Sequence, residues 1–437
     1  MGHLTGKELY KNLGKKVDGL TLRAPWNDAF YNILKELYSP EEAELAIQMP
    51  YGFSPFDKIR DVTNYEAVKL RRILENLSSK GLVIDARIEN IDWYSLSPIM
   101  VGIFEFTMMR TGPNTDYKTW SKMFHQYLSG DHSYHTANYG HGEQVTIMRA
   151  LAHRDAISET DFVEILDYET ANYVVAQWDK YAISYCACRH EKYHAGEKRC
   201  ATSLETCSSF GYAADYLIRH GMAREVTKSE MLDNISRSKD LKLVLTADNI
   251  KNRPTFICHC CSCCCNVLLG ITKHGYPNSL VTSSYISRIN EEECTSCGLC
   301  AKGCPVEAIK MVPIEMPTGK DLKIPKIDES ICLGCGVCAL NCKKDAVRLV
   351  KRKKRVIHPE TTFERIILQS LERGTLQNQL FSNPGSLSHK AMRGIIGGFL
   401  RLSPVKKALM SEQLRSKFLA SMKAGARRQL GETVTEM

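Results

Sequence analysis

The 437-residue sequence contains 18 cysteines, but none of them lies in its first 185 or last 95 residues. The sequence also lacks an apolar run that could span a membrane, because the longest, "IMVGIFEFTMM", includes Glu105 and is shorter than the ~20 residues required. The start of the chain lacks the apolar core of a secretory signal, and Gly6 stands where a myristoylation signal needs Ser or Thr. We therefore expect a cytoplasmic protein, in which a reducing environment disfavours a disulfide framework.

Nucleotide-binding motifs are missing as well. No G-x-G-x-x-G follows a predicted strand and there is no Walker A loop, so nothing indicates a nicotinamide or flavin site. The length allows two to four domains, and the net charge of +9 predicts a mildly basic surface. Redox chemistry must then come from the cysteines, and substrate chemistry from them or from a partner.

The residues before the cysteines predict a winged-helix-like domain over 29–110, between an N-terminal tail (1–28) and a helical connector (111–180). Apolar spacing predicts three helices in "AFYNILKELY", "SPEEAELAIQM" and "NYEAVKLRRILENLSSKG", and "LVIDARIENIDWYSLSP" alternates like a ribbon turned at Asn90. The connector holds three histidines that favour a polar loop over a metal site, because no acid or thiol at ligand spacing accompanies them. They are His132, His135 and His141.

Two segments repeat each other without a gap, Ser287–Val312 and Pro325–Val350, and each cysteine of the first precedes its counterpart by 38 residues. A C-x2-C-x2-C run places three thiolates around one cubic cluster, and the cysteine that follows after three residues reaches the other cluster. Zinc also accepts four thiolates, but two complete repeats argue against it. The spacing predicts two [4Fe–4S] clusters. The first set is Cys294, Cys297, Cys300 and Cys342, and the second set is Cys332, Cys335, Cys338 and Cys304.

On these motifs, residues 286–350 resemble a bacterial-type 2[4Fe–4S] ferredoxin domain, which implies a βαββαβ fold and one-electron transfer. One departure concerns the residue after the last cysteine of each repeat. Pro305 follows Cys304 as in the family, but Lys343 follows Cys342, which implies altered local packing and potential without loss of a ligand. More loosely, the whole chain is similar to ferredoxin-domain proteins of strict anaerobes with a winged-helix-like front end and a "CxCR" block.

Ten further cysteines fall in residues 181–285, which we expect to be an irregular, cysteine-rich, metal-binding domain. Adjacent cysteines in "CHCCSCCC" cannot all point inward from one regular element, so this run predicts an irregular loop. We expect one or two additional [4Fe–4S] clusters here; zinc is the less favoured occupant, and free or redox-active thiols are a third alternative. Arg189 would stabilise an anionic cluster. The ten cysteines are Cys186, Cys188, Cys200, Cys207, Cys258, Cys260, Cys261, Cys263, Cys264 and Cys265.

The last segment, 351–437, is predicted to be a basic helical extension. Its stretch "VKKALMSEQLRSKFLASMKAGARRQL" is amphipathic. Such a helix packs on the body of the protein, lies on an anionic membrane surface or docks on an acidic partner, and we slightly favour packing.

The fold class expected from all segments is multidomain α+β. The leading function is electron transfer, in which the protein, or a subunit of a larger oxidoreductase, passes single low-potential electrons to or from a partner enzyme. A cluster-containing transcription regulator is less favoured, because Glu66, Glu75 and the acid-rich ribbon oppose phosphate contact, so DNA is not the preferred partner. A reductase acting at an unusual cluster is the second alternative.

Overall fold

We analysed a computed structural model of the chain, which describes residues 2–113, 115–158, 167–314, 322–353, 356 and 358–436. Within these residues the protein combines helices with four sheets, so its fold is mixed helix and sheet.

The N-terminal segment is helical where a tail was expected. Helix α1 (Gly2–Asp18) buries Tyr10, Leu13 and Val17, which follow each other at helical spacing and join the main hydrophobic core. The expectation of a tail for residues 1–28 is therefore wrong for this helix. Tyr10, Leu13 and Val17 stand at positions i, i+3 and i+7, which is the helical pattern that the expectation of a tail overlooked.

Residues 28–96 form four helices and a small antiparallel sheet. The three predicted helices and the ribbon turn at Asn90 are all present, whereas the short β1 and the helix α4 were not predicted. The strands lie in the order β1-β3-β2. The elements are α2 (Asp28–Leu37), α3 (Pro40–Gln48), β1 (Ser54–Pro55), α4 (Phe56–Thr63), α5 (Ala67–Ser79), β2 (Val83–Ile88) and β3 (Ile91–Leu96).

The segment assigned to a helical connector is only partly helical. Its helices are α7 (Tyr117–Ser129), α8 (Ser133–Tyr139) and α9 (Ala171–Ala176), and α6 (Phe104–Met109) ends just before it. It also contains strand β4 (Met148–Ala150), whose three residues are all buried. A strand buried on both faces has no alternating pattern, which is why the sequence did not reveal it.

Residues 181–285 contain regular strands and helices, which corrects the expectation that this region is irregular. Strand β4 joins five further strands in one antiparallel sheet of order β4-β8-β9-β6-β5-β7. The strands are β5 (Tyr181–Tyr185), β6 (Glu205–Phe210), β7 (Ala223–Val226), β8 (Val244–Asp248) and β9 (Phe256–Cys260). The helices are α10 (Ala187–His194), α11 (Gly211–Arg219), α12 (Lys228–Asp240) and α13 (Asn266–Thr272).

The repeated segment forms two strand pairs and two short helices. Strand β10 (Tyr285–Ile289) pairs with β13 (Val347–Lys351), and β11 (Ile309–Ile314) pairs with β12 (Leu322–Ile327), both antiparallel. Helix α14 (Leu299–Lys302) follows the first cysteine run. Helix α15 (Val337–Leu340) follows the second.

The C-terminal extension is helical, as predicted. Its amphipathic stretch is divided between two helices, and buried Leu419 packs with Leu368 and Leu371 of the first helix of the extension. That part of the apolar face is therefore covered by protein; contact with a membrane stays a prediction. In the part of the chain described above, no helix is long and apolar enough to cross a membrane. The helices are α16 (Thr362–Arg373), α17 (Leu376–Leu380), α18 (Leu387–Leu400), α19 (Ser403–Met410), α20 (Glu412–Leu430) and α21 (Glu432–Glu436).

Candidate metal centres

The backbone of the repeated segment repeats itself as the sequence does. Left-handed φ angles occur at three pairs of positions, each pair 38 residues apart: Ser296 and Gly334, Gly298 and Gly336, and Glu307 and Asp345. Each of the two glycines at the second pair is the N-cap of its helix, α14 or α15. Left-handed residues reverse the chain sharply, so each C-x2-C-x2-C run curls back on itself before its helix.

The two halves differ in how closely other atoms approach them. A Cβ added at Gly298 would meet nothing nearer than the Met311 sulfur at 3.7 Å. At Gly336 it would lie 2.5 Å from the Cβ of Ala156, and at Gly334 it would lie 2.1 Å from the carbonyl oxygen of Tyr285. The second half is therefore packed against the body of the protein and admits no side chain at these two positions.

The same difference appears in the cysteines themselves. Cys297 of the first set is exposed, whereas Cys332, Cys335 and Cys338 of the second set are each less than 9 % exposed. The first predicted cluster site therefore reaches the surface at Cys297, whereas the second is more deeply buried.

Two of the hydrogen bonds that reach sulfur atoms of the second predicted set come from Ser287 and Ala308. The Ser287 hydroxyl lies 3.2 Å from Sγ of Cys338, and the main-chain N–H of Ala308 donates to Sγ of Cys304 at 3.2 Å. Burial raises the pKa of Cys338 to about 12, and the Ser287 hydroxyl partly opposes this by favouring the thiolate. Hydrogen bonds to cluster sulfurs raise reduction potential, so these contacts can tune one site separately from the other.

The residue after each last cysteine also distinguishes the halves, as the sequence indicated. Pro305 and Val306 are buried, whereas Lys343 and Lys344 at the corresponding positions are exposed. The lysines therefore add positive charge at the surface beside Cys342 and do not fill a core.

The ten remaining thiols divide into two neighbouring groups. The first, called here the four-thiol group, consists of Cys200, Cys261, Cys263 and Cys264, whose Sγ atoms all lie within 4.8 Å of one another. Cys263 lies 3.5 Å from Cys264, and Cys200 lies 3.7 Å from Cys261. Cys200 precedes β6, and the other three lie in the turn between β9 and α13.

The remaining six thiols, called here the six-thiol wall, form a connected set. Cys265 lies 3.3 Å from Cys260 and hydrogen-bonds with Cys188. Cys207 and Cys258 hydrogen-bond with each other across the paired strands β6 and β9. Cys186 lies near this pair, because charge–charge repulsion acts between Cys186 and each of Cys207 and Cys258.

The predicted irregular loop is thus only a short turn. The run "CHCCSCCC" begins on strand β9, turns at residues 261–264, and ends at Cys265, the residue before α13. Of the three C-x2-C pairs in the run, only Cys261 and Cys264 belong to the same group.

Arg189 stands between the two groups. It is fully buried and donates hydrogen bonds to the hydroxyl of Thr206 and the carbonyl oxygen of His259. Burial opposes its charge, but the thiolates of Cys186 and Cys261 outweigh that cost and raise the pKa of Arg189. Arg189 thus interacts with thiols of both groups, and its stabilisation of an anionic cluster stays a prediction.

Arg189 acts most directly on Cys261. A hydrogen bond with Cys264 and the nearby guanidinium outweigh the cost of burial and lower the pKa of Cys261 to about 4. A thiol with this pKa is a thiolate at neutral pH, which is the form that binds metal. The hydrogen bond has the opposite effect on its partner and raises the pKa of Cys264.

A large, chiefly apolar cavity of about 740 Å³ lies against these cysteines. All six thiols of the wall line it, together with Cys261 and Cys264. Glu105 also lines it, and burial raises the pKa of this carboxyl to about 7, although the main-chain N–H of Gly102 donates to it at 3.1 Å. Glu105 was not predicted as a site residue, because a single acid in an apolar run has no partner at a spacing that would mark a site.

The three connector histidines do not join a thiol group. His135 is buried and stacks on His274 with ring centroids 4.2 Å apart. Burial and the nearby His274 lower the pKa of His135 to about 4, so it is neutral. His132 and His141 are exposed, as polar loop residues are.

Comparisons with known proteins agree with part of this interpretation. The family model described as a 4Fe-4S dicluster domain matches residues 293–346, inside the segment 286–350 marked out by the repeat. Searches of curated proteins and of solved structures found no significant match to the chain. The eight cysteines of the repeat fit the donor set that two such clusters need. Residues 293–346 are thus a ferredoxin-type 4Fe-4S domain, carried as one segment of a longer protein.

Proposed function

We propose that the protein is an iron–sulfur electron-transfer protein, or a subunit of a larger oxidoreductase, that exchanges single low-potential electrons with a partner enzyme. The observation that carries this proposal is the pair of four-cysteine sets on a backbone that repeats every left-handed turn at the same offset. [4Fe–4S] clusters accept and release one electron at a time. Cys294, Cys297, Cys300 and Cys342 would hold one cluster, and Cys332, Cys335, Cys338 and Cys304 the other.

Two finer statements about fold belong to this proposal. The order β10-α14-β11-β12-α15-β13, with β10 paired to β13 and β11 to β12, supports a βαββαβ ferredoxin fold for residues 286–350. The helices of residues 28–96, followed by the β2–β3 ribbon, support a winged-helix domain.

The unequal exposure of the two cysteine sets supports the first set as the place where electrons pass to or from the partner. Exposed Cys297 makes the first set the contact point for an external donor or acceptor, since electron transfer weakens steeply with distance. The second set lies deeper and is tied to its surroundings, because Arg352 donates to the carbonyl oxygen of Cys332 and the His153 N–H donates to that of Cys335. The chain thereby holds the inner set rigidly against the body of the protein.

The test is metal analysis and spectroscopy of protein purified without oxygen. We expect at least about 8 iron and 8 sulfide per chain, and paramagnetic signals from two interacting [4Fe–4S] clusters after reduction by dithionite. Iron well below this number after anaerobic reconstitution, or zinc in place of iron at the repeat, would refute the proposal.

Regulation of transcription is the weaker alternative on the structure as well. The basic residues of the candidate recognition helix α5 are engaged within the protein. Lys69 pairs with Glu41 at 2.9 Å, and Arg71 pairs with Asp92 at 3.0 Å. Basic side chains that are already paired with carboxylates gain little from contact with DNA phosphates, because they displace few counterions. We therefore assign residues 28–96 to packing and to docking of a partner protein. A DNA mobility shift at about 150 mM salt should be absent, and a sequence-specific shift would revive the regulator.

A reductase is the second candidate function, and the cavity is the observation that favours it. An apolar cavity lined by eight cysteines can bring an organic acceptor into contact with a metal centre. The acceptor would gain two electrons and two protons, with the electrons supplied one at a time by a low-potential donor protein. Glu105 lines the cavity and its pKa of about 7 lets it hold a proton at neutral pH.

A cavity-filling variant separates this function from simple electron transfer. Ala213 lines the cavity, so Ala213→Trp should slow reoxidation of the reduced protein by small apolar acceptors several-fold. Ala420 is exposed on α20 outside the cavity, and Ala420→Trp is the matched control. Reduction by dithionite should be unchanged in both variants. Equal reoxidation rates in all three proteins would refute the reductase and leave the electron-transfer proposal standing.

A further inference from the structure

The four-thiol group has the size of a single-ion site. Three of its Sγ separations are 3.7 Å (Cys200–Cys261), 3.9 Å (Cys200–Cys264) and 3.8 Å (Cys261–Cys263). Four sulfurs placed tetrahedrally at the zinc–thiolate distance of about 2.3 Å are about 3.8 Å apart. These thiols therefore already stand at the edge lengths of a tetrahedron around one ion.

A cubic cluster requires a wider arrangement. Its four thiolates point outward from four different iron atoms, so the sulfurs lie much farther apart than around one ion. Within the described ranges, the four-thiol group is the only set of three or more cysteine, histidine or acidic side chains with ligand atoms all within 4.8 Å. The eight ferredoxin cysteines, all of which are described, do not form such a set.

The way the chain supplies the thiols also fits one ion. Three of them, Cys261, Cys263 and Cys264, come from four consecutive residues of a single turn, and Cys264 is fully buried beside Leu243. The fourth, Cys200, comes from the loop before β6. Four ligands from a turn and a loop complete the coordination of a small ion and leave no open position, as in structural sites.

The charges around the group match four thiolates and one divalent ion. That assembly carries a net charge of about −2, and the Arg189 guanidinium next to Cys261 compensates part of it. The main-chain N–H of Arg199 hydrogen-bonds to Cys263, and Lys198 donates to the carbonyl oxygen of Cys200. The group thus has cationic and N–H partners on the Cys200 side as well.

We propose that Cys200, Cys261, Cys263 and Cys264 bind one thiophilic metal ion, zinc or a single iron, in a tetrahedral four-thiolate site that holds no inorganic sulfide. The site ties the turn after β9 to the loop before β6. It thereby fixes the positions from which the six-thiol wall faces the cavity. The upstream cysteines then serve two separate purposes, and only the wall remains available for a cluster.

The test compares two adjacent substitutions by counting metal and sulfide in the full-length chain. Cys263→Ser removes one ligand, whereas Ser262→Ala changes the exposed residue beside it. We expect Cys263→Ser to lose one zinc or one iron per chain with sulfide unchanged, and Ser262→Ala to retain wild-type content. Joint loss of about four iron and four sulfide would show a cluster and overturn the proposal. Unchanged metal content in Cys263→Ser would overturn it too.

The wild-type protein provides a second measurement if Cys263→Ser does not accumulate. Metal in excess of the iron that pairs with sulfide should amount to one ion per chain. If that ion is zinc, its X-ray absorption should show about four sulfur neighbours at about 2.3 Å and no second metal nearby. Iron equal to sulfide with no zinc bound would overturn the proposal. Neither outcome bears on the ferredoxin segment, whose clusters are counted by their sulfide.

Discussion

His153 is joined to Cys335 by a main-chain hydrogen bond of 3.0 Å, from the His153 N–H to the Cys335 carbonyl oxygen. The Nε2 atom of the same histidine lies 2.8 Å from the carbonyl oxygen of Leu243, which packs against the four-thiol group. Burial lowers the pKa of His153, so the ring is neutral and its Nε2–H donates. One residue therefore links the ferredoxin segment to the cysteine-rich sheet.

Loss of this link should weaken the protein. In His153→Ala the Leu243 carbonyl loses its donor in a buried place, which costs about 1 to 3 kcal/mol. We expect a lower unfolding temperature under anaerobic conditions, measured by circular dichroism. Lys11→Ala, at an exposed position of α1, is the control and should leave the temperature unchanged. A stability of His153→Ala equal to that of wild type would show that the link is unimportant.

The hydroxyl of Ser287 should raise the reduction potential of one cluster only. It donates toward Sγ of Cys338, and removing a donor from a ligand sulfur destabilises the reduced, more negative state. Ser287→Ala should therefore lower the potential of one of the two clusters by tens of millivolts in a redox titration followed by electron paramagnetic resonance. Ser330→Ala is the control, because its hydroxyl donates to Asp328 and not to a cysteine. A shift of both clusters by the same amount would contradict the assignment of Cys338 to one site.

Each predicted cluster takes three ligands from one half of the repeat and the fourth from the other half. Variants of the two halves should therefore show matching losses. If Cys342 completes the first set, Cys342→Ala and Cys294→Ala should lose the same spectroscopic signal and about four iron each. Cys304→Ala and Cys335→Ala should instead share the loss of the other signal. Cys342→Ala sharing its loss with Cys335→Ala would mean that each half binds its own cluster.

Glu105 should make stability depend on pH. Its pKa in the folded protein is about 7, above the 4.5 of the free side chain, so the folded state holds the proton more tightly. The carboxyl's contribution to stability therefore falls as the pH rises from about 4.5 to about 7 and stays low above that range. Glu105→Gln removes this penalty and should be more stable than wild type at pH 8, by up to about 3 kcal/mol, with little gain at pH 5.

Unfolding temperatures at the two pH values measure this difference. Glu44→Gln, an exposed substitution on α3, is the matched control and should show no pH-dependent gain. An equal gain for Glu105→Gln at pH 5 and pH 8 would mean that the substitution acts through packing and not through the charge.

Local patterns allowed some parts of this molecule to be predicted. The cysteines of the repeat stand within short runs whose spacing alone suggests two clusters. Helices α2, α3 and α5 carry clear apolar periodicity, with a capping box at Ser39. The sheet was not predictable in the same way. Strands β4 and β8 are buried along their whole length, so they lack the alternation that marks a strand with one wet face.

The division of the ten upstream cysteines could not be predicted for a different reason. Cys200 joins Cys264 although 64 residues separate them, and Cys207 joins Cys258 because β6 pairs with β9. These neighbours depend on strand order and not on spacing along the chain. His153 was missed because a single histidine with no motif around it carries no signal before the fold is known.

The two halves of the ferredoxin segment cannot replace each other, although their cysteine spacing is identical. A chain built with two copies of the first half would place Ser at position 334, where a Cβ meets the Tyr285 carbonyl oxygen at 2.1 Å. The turn of the first half accommodates the Ser296 side chain, whereas the matching turn of the second half is packed against Tyr285 and admits none. Steric fit to the surrounding protein, and not ligand spacing, therefore distinguishes the two copies.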